Sequence, residues 1–155
     1  AEVKDIDLLC LMVGPSADGG AYRDQLDKLV KMMGLDDRVL LADECRDMPA
    51  ALMLADLVGA AYLTPSTYNR VVIEAQALGR PLVVSDYPCA RELVEGSSMA
   101  WLVPPNDAQS LAWAIRDALA LSSDERQARL LARIVAEPAD ADQPVLRADG
   151  IDDFG

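Results

Sequence analysis

The sequence predicts an α/β fold in three layers, with a parallel sheet of about five to six strands covered by helices on both faces. Two observations predict it. Short apolar runs alternate along the chain with amphipathic segments, and the loops between them are short, which is typical of parallel strands joined by helices. The chain has 155 residues, 52% of them hydrophobic, so one domain can bury a substantial core.

The predicted strands are short apolar runs, most of which end at or just before a proline. The first, IDLLCLMVG at 6–14, is a continuous apolar run that ends at Gly14 and Pro15. This pattern is typical of a strand buried on both faces. Four further strands are predicted, with the sequences RVLLA at 38–42, DLVGAAYLT at 56–64, RPLVVSD at 80–86 and AWLVP at 100–104.

The first predicted helix carries its apolar residues on one face, and Gly34 supplies a helix stop. The residues of this face are Tyr22, Leu26, Leu29, Val30 and Met33. Asp47 is the predicted N-cap of a second helix, in which Pro49 is tolerated because it lies in the first turn.

Two further helices are predicted in the middle of the chain. The segment NRVVIEAQALG at 69–79 is predicted to be helical up to Gly79, and CARELVEG at 89–96 is predicted as a short helix. We expect one domain over residues 1–136. Residues 137–155 are acidic, contain prolines and show little pattern, so they are predicted as a disordered or surface-packed tail.

The last two helices are predicted from their caps. Asn106 or Asp107 caps a helix, and Ser122 with Glu125 forms a capping box at the start of the next. The apolar face of the first of these helices contains Leu111, Ile115, Ala118 and Leu119.

Composition excludes several classes of function. The net charge of −12 leaves no basic surface for a nucleic acid or for peripheral contact with an anionic membrane. The chain has no histidine, which excludes a Ser-His-Asp triad. Cys10, Cys45 and Cys89 are widely spaced and odd in number, which favours a reducing cytoplasm over a disulfide framework or a zinc site. Neither a signal peptide nor a membrane-spanning run is predicted.

Parallel sheets of this kind bind ligands at the carboxyl ends of their strands. The loops expected at this edge are 14–20, 42–48, 64–70, 86–90 and 103–107. Glu74 places a carboxylate in the apolar helix that follows the third of these loops, and from the pattern alone an ordinary helix glutamate is favoured over a ligand-binding one. Arg70, at the predicted helix start, either faces a bound pyrophosphate or is a solvated first-turn residue, and the pattern favours neither.

Several motifs together resemble a known family. They are PS at 65–66, EAQALGRP at 74–81, RE at 91–92 and WLVPP at 101–105. In this order they are similar to the C-terminal half of the group 1 glycosyltransferases, which are retaining enzymes with two facing Rossmann-like domains. The resemblance extends from about residue 8 to residue 133. It implies that the three-layer domain is Rossmann-like.

The resemblance implies a site for a nucleotide-diphosphate sugar, with no cofactor and no metal. Glu74 would hydrogen-bond the ribose hydroxyls, because an ionised carboxylate accepts two hydroxyl donors well. The helix N-terminus would face the diphosphate, since its amides and dipole favour an anion. By position in the motifs, the implied substrate-binding residues are Arg70, Val71 and Val72 at the helix start, Cys45, Arg46 and Met48 near the base, and Ser66 and Pro88 in adjacent loops.

The sequence also departs from the family pattern. Ser66 stands where the family has a glutamate that holds the transferred sugar, and Tyr87 to Ala90 replace a glycine-bearing turn. The family's phosphate-binding Arg and Lys, and its N-terminal acceptor domain, are expected upstream of this sequence. The expectation is therefore a donor-binding half, from bacterial polysaccharide biosynthesis, that is inactive alone. The alternative is a non-catalytic nucleotide-binding, regulatory or oligomerising module with a decayed site. Either a missing N-terminal domain or a second copy would cover an exposed apolar face.

Overall fold

The computed structural model describes residues 6–14, 20–42, 44–65 and 69–136, with residues 133–136 described by their backbone alone. Within these residues, strands and helices alternate along the chain, which confirms the predicted α/β class. The strands are β1 (Cys10–Val13), β2 (Val39–Ala42), β3 (Val58–Ala60), β4 (Leu82–Ser85) and β5 (Ala100–Val103). The helices are α1 (Ala21–Met32), α2 (Met48–Leu54), α3 (Arg70–Ala77), α4 (Pro88–Val94), α5 (Ala108–Ala120) and α6 (Ser123–Ala136).

The described strands form two parallel sheets. In the first, β1 pairs with β2, and Cys10 aligns with Val39. In the second, β4 lies between β3 and β5, and Leu82 aligns with Val58 on one side and Ala100 on the other. The parallel direction is confirmed. The prediction of a single sheet of five to six strands is wrong for the described residues, because no hydrogen-bonded ladder joins the first sheet to the second.

The core lies around β4. Leu82, Val83 and Val84 are fully buried, because β4 has a strand on each side and a helix against each face. On one face Leu82 and Val84 pack with Val72 of α3, and on the other Val83 packs with Ala114 of α5. Each fully buried leucine or valine contributes about 1.5–3 kcal/mol, so this strand dominates the packing of residues 44–136, which we call the core unit.

The first βαβ segment, residues 6–42, is packed differently, and we call it the N-terminal unit. None of its described residues is buried. Leu11 and Met12 of β1 are 53% and 41% exposed. The prediction that the first strand is buried on both faces is therefore wrong, because β1 has one neighbour among the described strands and α1 packs against β2. An open, mainly apolar cavity lies at the carboxyl ends of β1 and β2, lined by Met12, Val13, Gly14, Tyr22, Arg23, Leu26, Leu41 and Ala42.

The predicted helix caps are confirmed. Asp47 caps α2, and Asp107, rather than Asn106, caps α5. Each side chain accepts hydrogen bonds from backbone amides in the first turn of its helix. The capping box before α6 is reciprocal: the Glu125 amide donates to Ser122 Oγ at 3.2 Å and the Ser122 amide donates to Glu125 Oε2 at 2.8 Å. These bonds satisfy amides that a helix start leaves without an intrahelical acceptor.

No helix in the described part of the chain is long and apolar enough to span a bilayer. The tail predicted over 137–155 lies outside the described residues. Its predicted structure, and the domain boundary placed before it, therefore remain predictions.

Candidate functional site

The carboxyl ends of the strands place the loop from β3 to α3 next to the end of β4. The Tyr62 amide donates to Ser85 Oγ, and the Ser85 hydroxyl donates to the Tyr62 carbonyl, both at 2.8 Å. The Tyr87 hydroxyl donates to the Leu63 carbonyl at 2.7 Å. These three bonds fix the first part of the loop that leads into α3, and Ser85 is itself buried.

The N-terminus of α3 lies at this edge because the loop joins it to the carboxyl end of β3. The amides of Val72 and Ile73 both donate to the Asn69 carbonyl, at 3.0 and 3.3 Å. The Val72 side chain is fully buried in the core. Arg70, Val71 and Val72 were predicted to face a diphosphate. The amide and the side chain of Val72 are both engaged within the protein. Arg70 and Val71 come before it in the first turn of α3, at the positive end of the helix dipole.

Glu74 and Arg70 are brought together by the structure. Glu74 lies one turn into α3, and Arg70 Nε donates to its Oε1 at 2.6 Å. The Glu74 side chain is 24% exposed and that of Arg70 is 76% exposed. Two of the predicted site residues thus form an ion pair with each other. Their spacing of four residues on a helix indicates such a pair, and the sequence analysis missed it.

Asn69 is a candidate site residue that the sequence analysis missed. It is the N-cap of α3, but its side chain makes no capping hydrogen bond. The residue is only 4% exposed, and its Oδ1 has no hydrogen-bond partner within the part of the chain that is described. An asparagine directly before a helical run is a visible N-cap signal, but an amide oxygen left without a donor is visible only in the structure.

The end of β4 carries a fixed carboxylate. Arg91 Nη2 donates to Asp86 Oδ2 at 2.7 Å, and Arg91 Nε donates to Asp86 Oδ1. This pairing with Arg91 lowers the pKa of Asp86 below its ordinary value. Tyr87 is the N-cap of α4, so Pro88, predicted in a loop, is instead the exposed first residue of that helix.

The loop predicted to lie near a nucleotide base is described from residue 44 onward. Cys45 is half-buried and Arg46 is exposed. Met48 begins α2 and packs against the hydrophobic core. Ser66 lies outside the described residues. Within the described residues, no cluster of histidine, cysteine or acidic side chains could hold a metal ion.

Parallel strands with helix N-termini gathered at their carboxyl edge define the class of Rossmann-like ligand-binding domains. A family model described as Glycosyl transferases group 1 matches residues 1–120. The chain belongs to this family. It is also 32% identical, over 94 residues, to the alpha-D-kanosaminyltransferase of Streptomyces kanamyceticus, a match that covers 57% of this chain and 23% of that protein.

Solved structures of longer proteins share the fold. HepE from Anabaena in complex with UDP is 26% identical with a TM-score of 0.73, and the match covers 83% of this chain and 35% of HepE. Its complex with UDP-glucose is 28% identical with a TM-score of 0.70, covering 79% of this chain and 33% of HepE. A Rickettsia africae glycosyltransferase, at 22% identity and a TM-score of 0.77, shows the fold alone. The chain thus spans 33–37% of the length of these structures.

Proposed function

We propose that the chain is the donor-binding part of a glycosyltransferase and binds a nucleotide-diphosphate sugar at the N-terminus of α3. The observation that carries the proposal is the position of Glu74, which is partly exposed one turn into a helix that starts at the carboxyl edge of the sheet. Family membership and the UDP-bound state of HepE support this reading. We propose sugar transfer only for the longer proteins of the family, because this chain matches only a part of their length.

In the proposed complex, Glu74 accepts hydrogen bonds from the ribose hydroxyls. The diphosphate lies against the amides at the start of α3, where Val71 is the best-placed donor because the Val72 and Ile73 amides already donate to Asn69. The Asn69 Oδ1 then accepts a hydrogen bond from the ligand or from a water bound with it, which would satisfy a buried acceptor that otherwise costs about 1–3 kcal/mol.

The ion pair between Arg70 and Glu74 is compatible with this role. The Arg70 side chain is largely exposed, and exposed pairs of this kind contribute only about 0–1 kcal/mol. A ligand can therefore displace the guanidinium from Glu74 at little cost. Once displaced, the Arg70 side chain can turn toward the diphosphate, so the same pair holds the carboxylate in place before binding and supplies a cation afterwards.

The proposal is tested by calorimetric titration of UDP, GDP and their glucose conjugates into the protein. We expect binding of at least one of these ligands, and we expect Glu74→Gln to weaken it about ten- to hundredfold, since a hydrogen bond to a charged group is worth about 1.5–3 kcal/mol. Glu95→Gln is the matched control. It removes the same charge from the C-cap of α4, at the opposite edge of the sheet, and should leave binding unchanged. Equal effects of the two substitutions, or no binding across the panel, would contradict the proposal.

A second candidate function is a nucleotide-binding module without transfer activity. It is favoured by Ser66, which replaces the acid that the family resemblance assigns to the transferred sugar. The two functions differ in their expected preference between ligands. A donor site should bind the sugar conjugate more tightly than the free nucleotide diphosphate, whereas a module without a sugar site should bind both equally.

A further inference from the structure

Both tryptophans of the chain lie at one place on the surface of the core unit. Trp101 is in β5, and Trp113 is in α5, the helix that packs against β4 and β5. Asp117 of α5 links the two positions, because its Oδ2 accepts a hydrogen bond from Trp101 Nε1 at 2.7 Å. Asp117 follows Trp113 by four residues, so these two side chains are neighbours on the helix surface. We call Trp101, Trp113 and Asp117 the tryptophan patch.

Trp101 holds the carboxylate of Asp117 in position. The Trp101 side chain is half-buried, because it packs against the cluster of Val83, Val103 and Ala114. A buried indole N–H usually has a hydrogen-bond partner, and Asp117 Oδ2 is that partner here. A carboxylate offers about four acceptor positions, and Asp117 is exposed. The carboxylate can therefore accept a second donor from the solvent side.

Trp113 differs from the small residues beside it in α5. The helix buries Ala112, Ala114 and Ala118, whereas Trp113 is 62% exposed. Tryptophan is enriched at the centres of protein interfaces, where its large ring is covered by a partner. Aromatic residues make up only 5% of this chain. The packing of α5 does not require an indole at this position, so we looked for a binding role.

An indole face next to a carboxylate forms a site for a cation. The face of a tryptophan ring attracts a cation more strongly than that of tyrosine or phenylalanine, and the carboxylate adds an ion pair. Arg116 and Asp117 lie on opposite sides of Trp113 around the helix, because three residues fall short of a full turn and four exceed it. The side of the ring next to Asp117 is therefore the negative one. The net charge of −12 also favours a cationic partner.

The guanidinium group of arginine fits this arrangement better than other ligands do. It is planar, it stacks on an indole, it is weakly hydrated, and its N–H groups fork onto a carboxylate. A sugar ring also stacks on tryptophan, but each of its hydroxyls then needs a polar partner. The patch offers one carboxylate, of which one oxygen already accepts from Trp101.

We propose that the tryptophan patch docks an arginine side chain of a partner polypeptide. The guanidinium lies on the exposed face of Trp113 and donates to the Asp117 carboxylate, which Trp101 holds in place. This surface consists of residues from β5 and α5. It includes none of the residues proposed to bind a nucleotide-diphosphate sugar, so the two proposals are tested separately.

An NMR titration of the 155-residue chain tests the proposal, because its two tryptophans give two indole N–H signals. The probe is an acetylated and amidated peptide with the sequence Gly-Arg-Gly-Arg-Gly. It should shift both indole signals in a saturable manner. The same peptide with lysine in place of arginine should bind at least about threefold more weakly. A peptide with citrulline, which has the shape of arginine without its charge, should not shift the signals.

Two pairs of variants locate the binding site. Asp117→Asn keeps an oxygen for the Trp101 indole but removes the charge, and it should weaken arginine-peptide binding about fivefold or more. Asp37→Asn removes the same charge from an exposed turn and should weaken it less than about twofold. Trp113→Ala should weaken it about tenfold or more. Met32→Ala, at an 80% exposed position of α1, should have no effect.

The substituted residues are all exposed, so each variant should keep the urea midpoint of the unaltered chain. Four results would overturn the proposal. The first is no saturable shift with the arginine peptide, and the second is an equal effect of Asp117→Asn and Asp37→Asn. The third is tighter binding of maltohexaose than of the peptide, which would make the patch a saccharide surface. The fourth is a shift that appears with rising protein concentration in the absence of peptide, which would mean that a second copy covers the patch.

Glu74→Gln separates this test from that of the nucleotide site. The substitution leaves the tryptophan patch unchanged, so arginine-peptide binding should be the same in this variant, whatever happens to nucleotide binding. Loss of peptide binding in Glu74→Gln would place the peptide at the start of α3 and would overturn the proposed location.

Discussion

The N-terminal unit and the core unit are built from similar strands but bury them very differently. β1 and β4 each have four residues and are mainly apolar, yet Leu11 and Met12 are 53% and 41% exposed while Leu82 and Val83 are fully buried. The difference lies in the neighbours. β4 has β3 and β5 at its edges and α3 and α5 on its faces, whereas β1 pairs, among the described strands, with β2 alone. An apolar run therefore shows which environment a strand suits, and the surrounding elements decide whether it has that environment.

The helices repeat this contrast. α1 has no buried residue, and Met32 in its last turn is 80% exposed. α5 is of nearly the same length and buries Ala112, Ala114 and Ala118, of which Ala114 packs with Val83 of β4. We infer that most of the stability of the described residues resides in the core unit.

The largest expected effect on stability comes from replacing one leucine by alanine in each unit. Leu82→Ala should destabilise the core unit by about 2–5 kcal/mol, because it leaves a cavity at a fully buried position. Leu11→Ala should cost less than about 1 kcal/mol, since half of that side chain is already in water. Urea unfolding followed by tryptophan fluorescence measures the difference, because both tryptophans, Trp101 and Trp113, lie in the core unit. Similar midpoints for the two variants would show that the units are equally packed.

A smaller loss of stability is expected when alanine replaces either of two glycines, one in each unit, that directly follow a helix. Gly79, after α3, and Gly34, after α1, have φ values of +64° and +61°, so alanine at either position costs about 1–2 kcal/mol of backbone strain. At Gly79 a Cβ would also lie 2.8 Å from Leu130 Cδ2, whereas at Gly34 it would meet no atom of the described residues within 4 Å. Gly79→Ala should therefore lower the tryptophan-detected stability by about 1–3 kcal/mol, and Gly34→Ala should lower it clearly less.

A double-mutant cycle isolates the contact with Leu130. If the added methyl group crowds that side chain, Gly79→Ala should cost less in a Leu130→Ala background than in the unaltered chain. Additive effects would show that Leu130 moves aside freely and that backbone strain alone accounts for the loss.

The features predicted correctly from the sequence are those fixed by near neighbours in the chain. The caps at Asp47 and Asp107, and the capping box at Ser122, depend on contacts within one helical turn, so residue type and spacing indicate them directly. The burial of β1 depends on which strands lie beside it, which its own residues do not encode. Its predicted burial was therefore wrong.

The features of the candidate site also fall into two groups, those that a local sequence pattern indicates and those that it does not. The place of Glu74 in the first turns of α3 follows from the local helix pattern, and so does its ion pair with Arg70, although only the first was predicted. The missing partner of Asn69 Oδ1, and the bonds of Tyr62 to Ser85, join segments that are distant in sequence or depend on burial. No local pattern indicates them.

The smallest expected effect is a pH dependence of the stability of the core unit. The pKa of Asp107 is lowered by its hydrogen bonds with the Ser110 hydroxyl and with the amides of Ser110 and Gln109. The folded chain therefore holds the ionised carboxylate more strongly than the unfolded chain does. The resulting stabilisation is complete above the unfolded pKa of about 3.9 and is lost as the pH falls through the lower, folded value.

Asp107→Asn removes this ionisation while keeping a good N-cap, so the comparison isolates the charge. The urea midpoint of the variant, followed by tryptophan fluorescence, should lie below that of the unaltered chain near neutral pH, and the two should converge as the pH falls below about 3.9. Asp37→Asn, an exposed substitution in the turn before β2, is the control in the N-terminal unit and should leave the tryptophan transition unchanged throughout. A midpoint difference for Asp107→Asn that stays constant from neutral to acidic pH would show that the carboxylate charge contributes nothing at this cap. The pH dependence of the core unit would then be sought at the other carboxylates with a lowered pKa, Asp86 beside Arg91 and Glu125 beside Ser122.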